Sequence, residues 1–254
     1  MLAYTTHGDG PGTPLLIVHG LYGSGRNWGV IAKRLSDTRR VVTVDMRNHG
    51  TSFWDDDNSY AALAGDLAQV IDHLGAPMDV VGHSMGGKAA MVLALTRPHT
   101  LRRLIIADIA PIGYIHTQMQ FITAMRAVDL SLLTRRSEAN EQLARLGVEP
   151  ALTSFLTQSL DIKEQRWRLN LDALAANMDS IIGFPTLEAS HEGPTLFLKG
   201  AESDYVTHDH RPTIKGLFPE ARFAKIPGAG HWLHADNPRA FEATVRAYLD
   251  TIAG

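Results

Sequence analysis

The most chemically loaded stretch of the chain is Gly82-His83-Ser84-Met85-Gly86-Gly87. It follows a short apolar run, Asp79-Val80-Val81, and opens a small-residue segment from Gly86 to Leu95. A serine with glycine two positions before and two after suits a tight strand-to-helix turn, where the strained backbone leaves no room for bulk. The turn carries the hydroxyl past the strand end, to the positive end of a helix. Such a hydroxyl attacks a carbonyl only if a neutral imidazole takes its proton. Among twelve histidines, His231 in Pro227-Gly228-Ala229-Gly230-His231-Trp232 is best placed. It follows the last apolar run, precedes the last helical pattern and comes after the serine in chain order. His83 is expected to point away from the pocket, and His234 reads as a packing or surface residue. His208-Asp209-His210 lack a third ligand at recognised spacing and no HExxH occurs, so neither metal nor cofactor is expected.

Acyl transfer through serine also needs N–H donors for the oxyanion. The Met85 amide, next after the serine, is one expected donor. The other is expected from His19-Gly20-Leu21-Tyr22-Gly23, where Gly20 permits close backbone approach and the Leu21 amide donates. Tyr22, Trp28, Met119 and Trp232 are candidate pocket walls. Phe121, Ile122 and Met125 lie close to Met119 and read first as core. Arg166, Trp167 and Arg168 read first as a solvated helix face.

These groups must be held by a scaffold, and its elements show as short patterns. Apolar runs at 15–18, 41–44, 79–81, 104–107, 195–198 and 222–226 suit buried strands of a parallel sheet. Tyr60 to Leu74 has helical periodicity and stops at Gly75-Ala76-Pro77. Pro238 to Ile252 forms an amphipathic final helix with Asn237 as its cap. Alternating strands and helices predict an α/β fold with right-handed crossovers. The alternation stops between Pro111 and Pro194, where helices are expected near 116–128, 137–146, 150–159 and 163–178 and no strand. A helical insertion there reads as a cap over the sheet's carboxyl edge.

Composition bounds the rest. At 254 residues and 44% hydrophobic the chain suits one globular unit with an insertion. No apolar run reaches the ~18 residues of a membrane span. The absence of cysteine excludes disulfides and a thiol nucleophile. A net charge of −3, with acids and bases interspersed, offers no nucleic-acid footprint. The first residues, Met1 to Gly8, lack a basic stretch followed by an apolar one, so a cytoplasmic protein without a leader is expected. A monomer or small homo-oligomer is the expected state.

The chain resembles the α/β-hydrolase superfamily in four stretches: His19–Gly23, Asp45–Ser52, Gly82–Lys88 and Gly228–Trp232. Asn48-His49, Lys88 and Asp108-Ile109-Ala110-Pro111 resemble a narrower branch, the YbfF-type and abhydrolase-domain-11-like serine esterases. The resemblance implies a mostly parallel, twisted eight-stranded sheet flanked by helices, with a helical cap inserted after the sixth strand. It divides the chain into a core, 1–110 with 190–254, and a cap, 111–189. It implies a carboxylesterase-type serine hydrolase acting on small acyl esters or thioesters of short to medium chain. In most of the superfamily the triad acid follows the next-to-last strand, which points to Asp204. In the branch it follows the strand before the cap, which points to Asp108. Asp108 also ends a wholly apolar run, where an unpaired carboxylate is costly. Asp45 reads as structural, organising Arg47 and its loop. The same triad serves cofactor-free perhydrolases (haloperoxidase-like enzymes), lactonases and C–C bond hydrolases, and a non-catalytic ligand receptor is a further alternative.

Overall fold

The computed structural model describes residues 1–75 and 77–251. Ala76 of the expected Gly75-Ala76-Pro77 stop and Ile252, the expected end of the last helix, lie outside them. In chain order the strands are β1 (Tyr4–Val18), β2 (Arg39–Val44), β3 (Met78–His83), β4 (Leu101–Ala107), β5 (Leu160–Asp161), β6 (Arg166–Trp167), β7 (Thr195–Gly200) and β8 (Arg222–Ile226). The helices are α1 (Gly29–Leu35), α2 (Tyr60–Leu74), α3 (Met85–Thr96), α4 (Met119–Ala127), α5 (Arg136–Arg145), α6 (Pro150–Leu156), α7 (Leu171–Ala176), α8 (Met178–Ile182), α9 (Arg211–Leu217), α10 (Leu233–Asp236) and α11 (Pro238–Leu249).

Among the described residues the main sheet has six strands, in the order β2-β1-β3-β4-β7-β8, rather than the expected eight. The reason lies in β1. Its first part runs antiparallel to β2, from Tyr4 opposite Val44 to His7 opposite Val41. Its last part runs parallel to β2, from Leu15 opposite Val41 to Val18 opposite Val44. Pro11 and Gly12 both pair with Arg39, where the chain rounds the end of β2. One continuous extended run thus occupies a sheet position on each flank of β2. The other neighbours pair in parallel, which brings the carboxyl ends of β1, β3, β4, β7 and β8 to one edge.

Alternation along each strand builds two cores. Leu16, Val18, Val42, Val80, Leu104 and Ile106 face one side, with α2, α3 and the helices between β4 and β7. Leu15, Ile17, Val41, Val81, Ile105 and Ala107 face the other, under α1 and α11. Period two is what a pleated strand buried on both faces requires. Burying one such side chain is worth roughly 1.5–3 kcal/mol. Ser59 caps α2 by accepting from the Ala62 N–H, and Gly75 ends it at φ 82°. Asn237 caps α11 ahead of Pro238, as the sequence predicts.

The segment between β4 and β7 departs from its expected form in one place. The expected helix over 163–178 is replaced by the antiparallel β5–β6 pair, then α7 and α8. Trp167 explains the change: its side chain is buried and Nε1 donates to the Met125 carbonyl at 2.9 Å. Arg168 pairs with Asp161 at 2.6 Å across the hairpin. Asn170 then caps α7 by accepting from the Ala173 N–H. Among the described residues no helix is long and apolar enough to cross a membrane.

Candidate active site

Ser84 sits between β3 and α3 with φ 53° and ψ −121°, in the left-handed half of backbone space. That turn works only because its neighbours are small. A Cβ on Gly86 would lie 2.3 Å from the His19 carbonyl oxygen. The Ser84 N–H is anchored on the Ala107 carbonyl of β4 at 3.1 Å.

The loop after β8 brings in His231, whose Nε2 accepts from the Ser84 hydroxyl at 3.1 Å. Its Nδ1–H donates to Asp108 Oδ2 at 2.8 Å. Asp108 follows directly after β4, fully buried and itself at φ 52°. Its other partners are the Gly200 N–H at 3.1 Å and the Ser203 hydroxyl at 2.5 Å. Three donors on one carboxylate hold it oriented. Asp204 is exposed, and Ser203 beside it makes the contact to the carboxylate instead. A Cβ on Gly200 would lie 2.1 Å from the Gly230 oxygen, so this glycine lets the histidine loop close onto β7.

Three aromatic rings fix the imidazole. Tyr205 stacks on His231 with centroids 3.9 Å apart and planes at 22°. Trp232 meets it edge-on at 5.4 Å. His83 does not point away as expected: it lines the cavity, and its Nε2–H donates to the His231 carbonyl at 2.8 Å. Burial holds the His83 pKa well below the ordinary imidazole value, with His231 adding to the effect. His234 is packing: it stacks on Trp28 at 3.9 Å, and burial pulls its pKa down to about 3.

Leu21 and Met85 both line the cavity beside Ser84. The loop carrying Leu21 is pinned by two buried histidines. His19 Nδ1–H donates to Gly20 O at 2.8 Å, while Nε2 accepts from the Met46 N–H at 2.9 Å. His49 Nδ1–H donates to Arg47 O at 2.8 Å, while Nε2 accepts from the Tyr22 N–H at 3.2 Å. Each ring needs one bare nitrogen, so both must be neutral. Burial lowers both pKa values, that of His49 to about 3. Tyr22, at φ 64°, depends on this support. Asp45 is structural, but it does not organise Arg47. Its carboxylate accepts from the Gly25 and Thr51 N–H groups, each at 2.8 Å. Arg47 pairs with Asp66 at 2.6 and 2.9 Å.

The cavity over Ser84 has a volume of about 260 Å³. Tyr22, Trp28 and Trp232 line it. Met119 does not: it is half-buried against the core, while Gln118, Gln120 and Phe121 face the space. Leu152 and Phe155 close it from α6. Ser203 and Tyr205 carry no signal of their own in the sequence, whereas His49 does, in the Asp45–Ser52 stretch and the Asn48-His49 pair. Among the described residues no group of three or more His, Asp or Glu side chains could hold a metal ion.

A twisted parallel sheet, a serine at its strand-to-helix turn and a histidine from the last loop are the features of one class of proteins. The chain belongs to the alpha/beta hydrolase family, which it matches over residues 15–244. It is 42% identical over 253 residues to the mouse sn-1-specific diacylglycerol lipase ABHD11, covering 95% of this chain and 82% of that protein. It is 35% identical over 250 residues to esterase YbfF of Escherichia coli K12, covering 98% and 97%. Among solved structures, a marine microorganism esterase superposes with a TM-score of 0.92 at 40% identity, covering 97% of this chain and 98% of that one.

Proposed function

We propose that this α/β hydrolase of the esterase/lipase type cleaves small acyl esters and thioesters through an acyl-enzyme on Ser84. The observation that carries the reading is the continuous relay from Ser84 Oγ through the His231 ring to Asp108. In this mechanism the Ser84 oxygen attacks the acyl carbonyl as its proton passes to Nε2. Asp108 holds the ring with Nδ1 protonated and stabilises the imidazolium that forms. The Leu21 and Met85 amides bind the developing oxyanion. His231 then protonates the departing alcohol or thiol, and water frees the acyl group by the same route.

The segment 111–189 acts as a cap in this reading, with 1–110 and 190–254 as the catalytic core. Its supports are the side chains it places in the cavity and its ties to the core. Tyr60 donates to Ile181 O at 2.6 Å and Ser159 to Tyr22 O at 2.8 Å. A cavity of about 260 Å³ favours short to medium acyl chains.

Labelling with a fluorophosphonate and hydrolysis of p-nitrophenyl butyrate test the mechanism together. Ser84→Ala should abolish labelling and lower kcat by roughly four orders of magnitude or more. Wild-type turnover in that variant would refute the nucleophile.

A further inference from the structure

A second cavity, of about 220 Å³, opens toward the carboxyl ends of β7 and β8. It shares no lining residue with the one over Ser84, although Val206 of the second directly follows Tyr205 of the first. Lys199 and Lys225 stand in register across the parallel β7–β8 pair, and both line this cavity. Neighbouring strands lie about 4.8 Å apart, so the two ammonium groups leave one face of the sheet side by side. Like charges placed in this way repel. Arg211, at the start of α9, adds a third cation. Its guanidinium lies 4.6 Å from the centre of the Phe223 ring, which fixes its place. Phe223 packs in turn on Phe197 with centroids 5.9 Å apart, and the two rings give the cavity an apolar wall. No Asp or Glu side chain lines this space. Among the described residues none forms an ion pair with Lys199, Lys225 or Arg211. His208, whose spacing to Asp209 and His210 offered no metal site, lines the same cavity and can add an N–H. The fold thus gathers three cations beside aromatic rings with no acid to offset them. An anion with several acceptor oxygens relieves such repulsion, and the apolar wall limits its screening.

We propose that this cavity is a binding site for a phosphate group, borne by a small soluble phosphate monoester or present as inorganic phosphate. Lys199 and Lys225 neutralise its charge, and Arg211, held over Phe223, presents paired N–H groups to its oxygens. No bond is made or broken there. The site lies outside the Ser84 cavity, so it stands whether or not the serine mechanism does.

Isothermal titration calorimetry with inorganic phosphate and with glycerol 3-phosphate, at an ionic strength held constant with sodium chloride, reads the binding directly. The unaltered protein should take up a single phosphate saturably. Lys225→Gln should weaken that binding about tenfold or more. Lys33→Gln removes the same charge from an exposed position on α1 and should leave it unchanged. Absence of saturable binding, or equal affinity in the Lys225→Gln variant, overturns the assignment. So does an equal weakening by Lys33→Gln, which would reduce the effect to net charge. Thermal denaturation without phosphate gives a second measurement. Lys225→Gln should melt no lower than the unaltered protein, because it loses repulsion and no ion pair. A clear fall in Tm would mean that the lysine already has a carboxylate partner, and the proposal would fall with it. Tighter binding of glycerol 3-phosphate than of inorganic phosphate assigns the site to monoesters; equal or weaker binding assigns it to the free ion.

Discussion

At the scale of single residues, the rival carboxylates give the sharpest expectation. Asp108→Asn should leave the fold in place and lower kcat by about three to four orders of magnitude, because the imidazole loses its orienting anion. Asp204→Asn, at an exposed position, should change kcat by less than about threefold. Steady-state rates for the two variants decide the order, and the reverse ranking would move the acid to Asp204. Tyr205 offers a subtler case. Its ring covers one face of His231, where a π cloud stabilises a cation by roughly 1 kcal/mol. Tyr205→Phe should keep kcat, whereas Tyr205→Leu should lower it about fivefold with little change in KM. Equal losses in both variants would mean that the hydroxyl, which meets His116, matters more than the ring. Ser84 and His231 were legible in the sequence because glycine spacing and chain order betray a turn and its base. Ser203 and Tyr205 were not. Their contacts to Asp108 and His231 join loops after β4, β7 and β8, and no local pattern encodes that meeting.

At the scale of elements, the loop from His19 to Gly23 is shaped by a neighbour rather than by its own residues. His49 reaches it from the turn after β2 and accepts the Tyr22 N–H. The same turn pairs with the helical segment, through the His49–Leu169 bridge and the Gly50 N–H on Arg168 O at 2.8 Å. His49→Leu leaves a buried donor without an acceptor, which costs about 1–3 kcal/mol. Chemical denaturation should show that loss, and kcat should fall more than KM rises if the adjacent Leu21 amide is the oxyanion donor proposed above. Unchanged kcat in a folded variant would separate this histidine from the donor loop. The elements of the sheet were readable from their apolar runs, and α2 and α11 from their caps. The β5–β6 hairpin was not, because its helix-favouring composition yields to one tertiary contact, the Trp167 ring buried against α4.

At the scale of the whole molecule, buried histidines set the acid limit. His19, His49, His83, His191 and His234 all have pKa values lowered chiefly by burial, with His49 and His234 near 3. In the unfolded chain these rings protonate near the ordinary value of about 6.5. Their contribution to stability is therefore complete above that pH and is lost as the pH falls from there toward 3. Each ring can contribute up to about 1.4 kcal/mol per pH unit. Asp79, pushed up to about 6 by burial, works in the opposite sense, but it is one group against several. The urea midpoint should drop clearly between pH 7 and pH 5, and a rise would contradict the neutral, buried state of these rings. The long first strand has a different consequence. By clasping β2 from both sides, it leaves that strand no unpaired rim on which a foreign chain could template. The opposite rim, β8, displays Arg222 and Lys225 to solvent, and such charges discourage edge-to-edge stacking. The margin on that side thus passes from β2 to the short run from Tyr4 to His7, and the opposite one is guarded by repulsion.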